Sequence, residues 1–430
     1  MEGNILTPVT VAFAGFGNRA ERYAQWIDEN PELCRVVAIA EPRAVRRERV
    51  AEKYGLGANM AVADWRALAQ LGRVADAIII SLPDQDRVGP VEEFLKRGYD
   101  TLLEKPIAVN EEDCRSIVAA ATKNNSLFAV CHSLRYTPHT QTIKEAVTSG
   151  RIGEVISIQH IEPVDYLHYA HSFVRGNWKK EAESSSMLLQ KSCHDMDLLQ
   201  YWVDSPIRRV SSFGRLSHFR PANKPAGTAD RCIDCKIQDE CAFSATRQYL
   251  PLIREGHTCW PIDVVTEEFT ELGVRESLEV GPYGSCVYNS GNDVVDHQVV
   301  NMEFESGVTG SFTMVGFGWD SRRRTRIFGT QGEVEGDLDT VKIAHFPTRS
   351  YEEIEINPSR PPGSMAPLGS GRNIAVNSLL SAFIKAVKTG DRSGILSGPE
   401  ESLNSHLAVF AAEKSRREGG IVDVSALTHA

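Results

Sequence analysis

The feature that most constrains the fold is a regular alternation of strand-like and helix-like segments over the first third of the chain. Apolar runs such as VTVAFA, AIIIS and TLL are each followed by a stretch with helical periodicity. Strands that alternate with helices predict a parallel, doubly wound sheet with helices on both faces. Ligands of such sheets bind beyond the carboxyl ends of the strands. The residues at those ends are 15–17, 41, 81–84, 104–106 and 132–136.

The turn after the first strand carries a glycine pattern typical of dinucleotide binding. Gly15, Gly17 and Ala20 fit G-x-G-x-x-A, which combines a tight turn, close approach of a pyrophosphate and close helix packing. Glu41 ends the second predicted strand. A carboxylate at this position accepts hydrogen bonds from the hydroxyls of the adenosine ribose and repels a 2′-phosphate. The pattern predicts NAD, with a tight turn in an unrelated α/β domain as the alternative. NADP stays open because three arginines follow, namely Arg43, Arg46 and Arg47.

Chain length and charge narrow the class of protein further. The 430 residues exceed one ordinary core, so we expect two domains. The net charge of −10 argues against nonspecific nucleic-acid binding, which requires a basic surface. No apolar run reaches the length of a membrane span, and the first residues resemble a strand rather than a secretion signal. The expectation is a cytoplasmic protein without nucleic-acid or membrane partners.

Several motifs together resemble the Gfo/Idh/MocA oxidoreductases, relatives of glucose–fructose oxidoreductase and inositol dehydrogenase. They are GFGNRA, IAE, SLPD, LLEKPIAV, RIGEVISIQ, RIFGTQGEVEGD and the closing ESLNSHLAVFAAEKSRREGG, so the likeness covers nearly the whole chain. The resemblance implies an N-terminal Rossmann domain at residues 1–137 and a C-terminal α+β domain at 138–430, with an open, largely antiparallel sheet. It also implies a sugar, a polyol or a derivative as substrate, and a homodimer or homotetramer.

The Glu-Lys-Pro segment at residues 104–106 is the first candidate for chemistry. The resemblance implies that Lys105 reaches the reacting hydroxyl beside the nicotinamide. Removing a hydride from a carbinol requires that the hydroxyl proton be taken or strongly hydrogen-bonded, and a lysine can act as base or as charged donor. Glu104 is expected to orient Lys105 or the cofactor. The alternative is a structural ion pair that closes the strand.

A predicted helix over residues 184–202, capped by serines, holds the second candidate. Dehydrogenases of the family commonly place an aspartate four residues before a histidine here, whereas this chain has Gln190 before His194. A carboxylate raises the pKa of a histidine, and a neutral amide does so much less. We expect His194 to act as acid or base and Gln190 to orient it. Lys191 or Asp195, on the neighbouring helix face, could supply the missing charge.

The remaining candidates complete two predicted binding sets. The cofactor set is Gly15, Gly17, Asn18, Arg19, Glu41, Ser81, Pro83, Asp84, Glu104, Lys105, Arg135 and Trp178. The substrate set is Lys105, Tyr136, Tyr166, His168, Gln190, Lys191, His194 and His297. We expect Tyr166, His168 and His171 to lie in a loop too polar and aromatic for a core. The arginines of residues 322–326 are expected on a solvated strand face, with binding of an anionic substrate group as the alternative.

A cysteine cluster falls in a predicted insertion around residues 215–262. Cys232, Cys235 and Cys241 form C-x2-C-x5-C, and Cys259 follows after 17 residues. The spacing resembles a zinc knuckle, so a structural zinc held by these four cysteines is one prediction and free or oxidised thiols are the other. An Fe–S cluster is less favoured.

Three functions compete for this chain. The first is an NAD-dependent dehydrogenase of a sugar or polyol hydroxyl, with Lys105 and His194 handling the proton. The second is a redox-neutral NAD-dependent glycosidase, for example one of the sulfoquinovosidase type, in which oxidation, elimination, hydration and reduction follow in turn. The third is a cofactor-binding regulator without chemistry, which Lys105 and His194 argue against.

Overall fold

The structure, a computed structural model, describes residues 7–356 and 370–429. Its contacts divide the chain into two compact units. The first unit contains Met1–Lys144, Met196–Tyr201 and Gly369–Phe410, and the second contains Glu145–Asp195, Trp202–Leu368 and Ala411–Ala430. The predicted domain boundary between residues 137 and 138 stays a prediction.

The first unit is built on a six-stranded sheet whose strands pair in parallel throughout, in the order β3-β2-β1-β4-β5-β6. The strands are β1 (Val9–Ala14), β2 (Cys34–Ala40), β3 (Ala61–Val62), β4 (Ala77–Ile80), β5 (Asp100–Leu103) and β6 (Phe128–Val130). The helices between them are α1 (Asn18–Glu29), α2 (Ala44–Tyr54), α3 (Trp65–Gln70), α4 (Val88–Lys96) and α5 (Glu111–Lys123). This order reverses between β1 and β4, where doubly wound sheets bind their ligands. The predicted fold class is confirmed.

Burial on both faces explains why these strands are continuous apolar runs. One face of the sheet packs Phe13 and Ile79 into one cluster, and the other packs Ile78 and Ile80 into a second. The first cluster is completed by helix α12 (Ser370–Thr389), from the far end of the sequence. The side chains that α12 contributes include Val376, Leu379, Leu380 and Phe383. The first unit is therefore assembled from distant parts of the chain.

The second unit contains a nine-stranded sheet in the order β14-β13-β12-β11-β7-β10-β9-β8-β15. Among the strands that the structure describes, β7 and β10 pair in parallel and the other neighbouring pairs of this sheet are antiparallel. Its first strands are β7 (Val155–Asp165), β8 (Ile207–Arg215), β9 (His297–Phe304), β10 (Thr309–Gly318) and β11 (Arg324–Gly329). The others are β12 (Gly332–Gly336), β13 (Thr340–His345), β14 (Ser350–Glu355) and β15 (Ile421–Asp423). Strands β9 and β10 alternate buried and more exposed residues, as the sequence predicts for a sheet with one covered face.

The described part of the chain contains further α-helices outside the βα alternation of the first sheet. They are α6 (Pro138–Thr148), α7 (Tyr166–Tyr169), α8 (Met187–Val203), α9 (Ala245–Arg254), α10 (Ile262–Val265), α11 (Glu271–Val280) and α13 (Pro399–Glu418). Helices α9, α10 and α11 lie between β8 and β9 and build a small apolar core of their own. Within residues 7–356 and 370–429, none of the helices combines the length and apolarity that a membrane crossing requires.

Candidate active site

The glycine turn after β1 has the geometry that dinucleotide binding requires. Gly15 has φ +86°, and a Cβ at this position would lie 2.9 Å from the Ser81 carbonyl oxygen, so only glycine fits. Gly17 precedes helix α1 with φ −83°, and a Cβ there would meet nothing closer than an Arg43 nitrogen at 3.9 Å. The space beside Gly17 is therefore open to a ligand, and the amino end of α1 faces that space with its backbone N–H groups.

Glu41 lies directly after β2 and is only 2% exposed. Its carboxylate accepts from the Phe16 amide at 3.0 Å and from the Arg43 side chain at 2.6 Å. Burial opposes ionisation, but the hydrogen bonds from Arg43 and Phe16 outweigh it and lower the pKa of Glu41. A fixed negative charge thus sits against the glycine turn.

The three arginines that left NADP open are bound to protein groups. Arg43 pairs with the Glu41 carboxylate, and Arg47 donates to the Glu41 carbonyl at 2.7 Å. Arg46 is 8% exposed and lies 3.9 Å from Glu21. Their positive charges are largely balanced by carboxylates and carbonyls on the same unit.

Glu104 and Lys105 follow β5, two strands from the glycine turn. Glu104 is 3% exposed and accepts from Arg19 at 2.6 Å, from the Tyr23 hydroxyl and from the Lys105 amide at 2.9 Å. Burial raises the pKa of the Glu104 carboxyl, but the charges of Arg19 and Lys105 outweigh it, so the pKa lies below its ordinary value. Glu104 therefore fixes the Lys105 backbone and Arg19, while the Lys105 side chain is half-buried.

Arg87 organises this edge of the sheet, although no sequence motif indicates it. Its guanidinium donates to the carbonyls of Leu82 at 3.0 Å and Glu104 at 2.6 Å, and also to the Pro106 carbonyl. It pairs with Asp84 at 2.6 Å and is itself 4% exposed. One buried cation thus connects the SLPD turn after β4 to the segment after β5.

His406 of helix α13 is a second group that the motifs did not indicate. Its Nε2 accepts from the Ile107 amide at 3.0 Å, and its Nδ1 lies 2.7 Å from the Ser402 carbonyl, which fixes the tautomer. Burial, helped by the nearby His132 ring, lowers the pKa of His406 to about 3. A neutral imidazole, 299 residues away in sequence, therefore holds the chain just after Lys105.

Arg135 and Tyr136 are buried in the same unit, with their polar groups bound to protein. Arg135 forms a bidentate salt bridge with the Asp197 carboxylate, with N···O distances of 2.7 and 2.8 Å. The Tyr136 hydroxyl accepts from the Leu396 amide at 2.8 Å. Their predicted cofactor and substrate roles stay predictions, and the geometry also supports a purely structural role for both.

The other predicted cofactor residues of this unit lie at the same edge. Asn18 begins α1, the Ser81 hydroxyl donates to the Gly15 carbonyl at 2.8 Å, and Pro83 precedes the turn that contains Asp84. The structure therefore brings together the residues after β1, β2, β4 and β5, as the parallel topology predicts.

In the second unit, helix α8 begins with a serine cap, as predicted. The Ser186 hydroxyl accepts from the Leu189 amide at 3.2 Å. Gln190 is 4% exposed, and its amide donates to the Ser184 hydroxyl at 3.4 Å. His194 lies one turn further along the same helix and is partly exposed. A role for Gln190 in orienting His194 stays a prediction.

Lys191 and Asp195 belong to a buried ionic network. Lys191 lies 2.8 Å from Glu162, and Arg323 contacts both Glu162 at 2.9 Å and Asp195 at 2.5 Å. His160 completes the network, 3.0 Å from Asp195. Burial opposes ionisation of Asp195, but Arg323 and then His160 lower its pKa. Arg323 is 8% exposed, so the expected solvated strand face is wrong at that position, because two buried carboxylates bind its guanidinium.

The segment around Tyr166, His168 and His171 was expected to be a loop, and this is wrong. Helix α7 continues into a π-helical turn at residues 170–175. His168 packs edge-on against Trp260, and His171 stacks on Tyr283 with its Nδ1 2.8 Å from the Tyr249 hydroxyl. Burial lowers the pKa of His171 to about 3. Aromatic partners from the insertion supply the packing that the local sequence lacks.

The last predicted contacts lie on the more exposed parts of this unit. Tyr166 stacks on Trp319 with ring centroids 6.3 Å apart, and Trp178 is 37% exposed. His297 begins β9 and its Nδ1 lies 2.8 Å from Asp296. Their contacts with a substrate or cofactor stay predictions.

The cysteine cluster is only partly as predicted. Cys232, Cys235 and Cys241 line one small cavity, whereas Cys259 is exposed and is not part of its wall. Across residues 7–356 and 370–429, no three His, Cys, Asp or Glu side chains are arranged as a ready metal site.

Comparison with known proteins places this architecture among oxidoreductases with an NAD-binding domain. Residues 9–132 match the family model described as "Oxidoreductase family, NAD-binding Rossmann fold". Residues 144–424 match the model described as "Oxidoreductase family, C-terminal alpha/beta domain". The chain belongs to the Gfo/Idh/MocA oxidoreductase family, as the sequence motifs indicated.

Individual relatives are distant. YteT of Bacillus subtilis, an oxidoreductase by name, is 23% identical over 267 residues, which cover 61% of this chain and 60% of YteT. The inositol 2-dehydrogenase of Rhizobium meliloti is 25% identical over 203 residues, 45% of this chain and 55% of that enzyme. These matches span little more than half the length of either relative. A solved levoglucosan dehydrogenase in complex with NADH superimposes with a TM-score of 0.68 at 16% identity, covering 97% of this chain and 99% of that one.

Proposed function

We propose that this protein is an NAD-dependent dehydrogenase that oxidises a hydroxyl of a sugar, a polyol or a sugar derivative. The observation that carries the proposal is the placement of Lys105. It follows β5 of a parallel sheet in which β1 and β2, two and three strands away, end at the glycine turn and at Glu41. Lysine at the ligand-binding edge of such a sheet is placed for proton handling beside a nicotinamide.

The residues of the first unit fit NAD better than NADP. The open space at Gly17 suits a pyrophosphate, and the ionised Glu41 suits the two free ribose hydroxyls. A 2′-phosphate would meet the Glu41 charge, and Arg43, Arg46 and Arg47 already have partners. When bound, NAD supplies the hydride acceptor.

We assign the transfer of the substrate's hydroxyl proton to Lys105 and His194. Lys105 takes the hydroxyl proton or stabilises the developing alkoxide. The Glu104 carboxylate holds the Lys105 backbone by accepting a hydrogen bond from its N–H at 2.9 Å. His194 exchanges the proton with solvent from helix α8, where it is partly exposed. An inositol 2-dehydrogenase and a levoglucosan dehydrogenase among the relatives support a polyhydroxylated substrate.

One observation favours the redox-neutral glycosidase as a second candidate. Gln190 occupies the position where dehydrogenases of the family commonly carry an aspartate, and its amide donates to Ser184. The neutral amide in place of that carboxylate departs from the dehydrogenase pattern, and this departure is the ground for considering a reaction other than net oxidation.

A single assay separates the two functions. The full-length protein is incubated with NAD and with either free sugars and polyols or aryl glycosides, while NADH and released phenol are followed separately. Net NADH from a free sugar or polyol supports the dehydrogenase. Phenol released catalytically without net NADH supports the glycosidase, and NAD binding with neither product would favour a regulator.

Substituting the two glycines of the turn tests NAD binding directly. Gly15→Ala is expected to destabilise the fold by about 1–3 kcal/mol, since alanine would be held at φ +86° against the Ser81 carbonyl. Gly17→Ala should change stability by less than about 1 kcal/mol. It should nevertheless weaken NAD binding by about tenfold or more, because the new methyl enters the space for the pyrophosphate. Urea unfolding and calorimetric NAD titration measure both effects, and unchanged NAD affinity in Gly17→Ala would contradict the proposed cofactor site.

The other predictions concern assembly and location. Exposed apolar side chains on β7, β8 and β10, namely Ile161, Phe213 and Phe317, support the expected dimer or tetramer. The cytoplasmic location stays a prediction. The zinc ion on Cys232, Cys235, Cys241 and Cys259 also stays one, although Cys259 is exposed and lies outside the cavity wall that the other three share.

A further inference from the structure

Four cysteines surround one cavity in the insertion of the second unit. Cys232, Cys235, Cys241 and Cys286 all contribute to the wall of a space of about 20 Å³. Cys286 lies 27 residues beyond the exposed Cys259 and was not part of the motif read from the sequence. A space of this size suits one water molecule or one metal ion and is too small for a multi-iron cluster.

The backbone around these cysteines has the turns of a metal-binding knuckle. The Cys235 amide donates to the Cys232 carbonyl at 3.2 Å, and the Cys241 amide donates to the Ile237 carbonyl at 3.0 Å. Two successive turns thus bring three thiols to one side. An isolated bridge between Arg231 and Ser285 delivers the fourth, and the Cys286 amide donates to the Asp230 carbonyl at 2.8 Å.

A buried cation beside the cavity lacks a carboxylate partner. Arg175 is 1% exposed and donates to the carbonyls of Ser285 at 2.8 Å and Phe243 at 2.7 Å. It also donates to the Cys232 sulfur at 3.4 Å. In the described part of the chain, Arg175 forms no ion pair with Asp or Glu, and its Nη1 has no hydrogen-bond partner. A buried guanidinium requires a nearby negative charge, and neutral thiols do not provide one.

We propose that Cys232, Cys235, Cys241 and Cys286 bind one zinc ion as a four-thiolate structural site, with Arg175 compensating its charge. Zinc with four thiolates carries excess negative charge, which the Arg175 guanidinium balances. The described thiols do not already form a ligand set, so binding requires them to turn toward the cavity about their Cα–Cβ bonds.

The size of the insertion explains why a metal would be useful there. Helices α9, α10 and α11 surround a core of nine buried side chains, one of which is Cys232. Small cores of this kind commonly need a disulfide or a metal for stability, and none of the nine cysteines, all of which are described, forms a disulfide. A zinc ion would connect Cys232, in the first part of the segment between β8 and β9, to Cys286 near the end of that segment.

The test uses the full-length protein and two matched substitutions. Wild-type protein is expected to retain about one zinc per chain by elemental analysis, with four thiols protected from a chromogenic thiol reagent until a chelator is added. Cys286→Ser should lose the metal, whereas Cys259→Ser should keep it. Cobalt replacing the zinc should show the charge-transfer absorption of thiolate ligands.

Each result decides the assignment. Retention of zinc by Cys286→Ser together with its loss in Cys259→Ser would restore the ligand set predicted from sequence and overturn this one. Absence of zinc and of cobalt absorption in the wild type, or a disulfide between any two of the four cysteines, would also overturn it. If Cys286→Ser does not fold, Cys259→Ser still decides: retention of one zinc and of the thiolate cobalt spectrum supports the Cys286 set, and loss of the metal overturns it.

Discussion

Replacing Lys105 with methionine is expected to lower kcat by about 10²–10⁴-fold, the range typical of losing a general acid or base. Methionine matches the length of the lysine stem but cannot exchange a proton or stabilise an alkoxide. The hydrogen bond from the Lys105 backbone N–H to the Glu104 carboxylate does not involve the lysine side chain, so NAD binding should persist. Steady-state kinetics with the substrate found in the sugar panel, together with NAD titration, provide the measurement.

A matched control separates chemistry from charge. Lys123→Met makes the same change at an exposed position in the last turn of α5, and it should leave kcat within about twofold of wild type. Lys105→Arg keeps the charge but is a poor base. Partial activity in Lys105→Arg would indicate a charged donor, and loss equal to that in Lys105→Met would indicate a base. Full activity in Lys105→Met would refute the proposed role.

Arg87→Met should reduce the free energy of unfolding by about 3–5 kcal/mol, the usual effect of removing one partner from a buried charged cluster. The change leaves the Leu82 and Glu104 carbonyls without their donor and the Asp84 carboxylate without its cation. Urea unfolding of Arg87→Met, of the control variant Arg97→Met and of the wild type measures the loss. Equal m-values check that all three unfold in two states.

Arg97→Met provides the control at the other end of α4. Arg97 pairs with Glu93 at 2.6 Å, but both side chains are about one-third exposed, so the loss should stay within about 1 kcal/mol. An equally small effect for Arg87→Met would mean that water or neighbouring groups replace the guanidinium. The edge that holds Lys105 would then not depend on this residue.

The parallel sheet and its ligand edge could be predicted from sequence because both depend on local patterns. Buried strands read as apolar runs, and G-x-G-x-x-A, Glu41 and Glu-Lys-Pro each follow such a run. Helix α2 and the two-residue β3 were not predicted. Helix α2 has a weakly apolar face, and two residues are too few for a detectable period.

The partners of the candidate site could not be predicted, because they depend on contacts between distant residues. Nothing near His406 indicates that its ring accepts from Ile107, and nothing near Arg323 reveals two buried carboxylates. The cysteine spacing was informative for three members of the cluster. The fourth position is decided by the pairing of residues 231 and 285, which no local pattern shows.

The contribution of helix α12 to the first core has a consequence for synthesis on the ribosome. Strands β1 to β6 emerge within the first third of translation, but Leu379 and Phe383, which complete one of the two apolar clusters, emerge only near its end. This face of the nascent sheet is therefore only partly covered, by α1, while more than 200 further residues are added. We therefore expect chaperones to bind the nascent chain during this interval, until α12 has been synthesised and packs against the sheet.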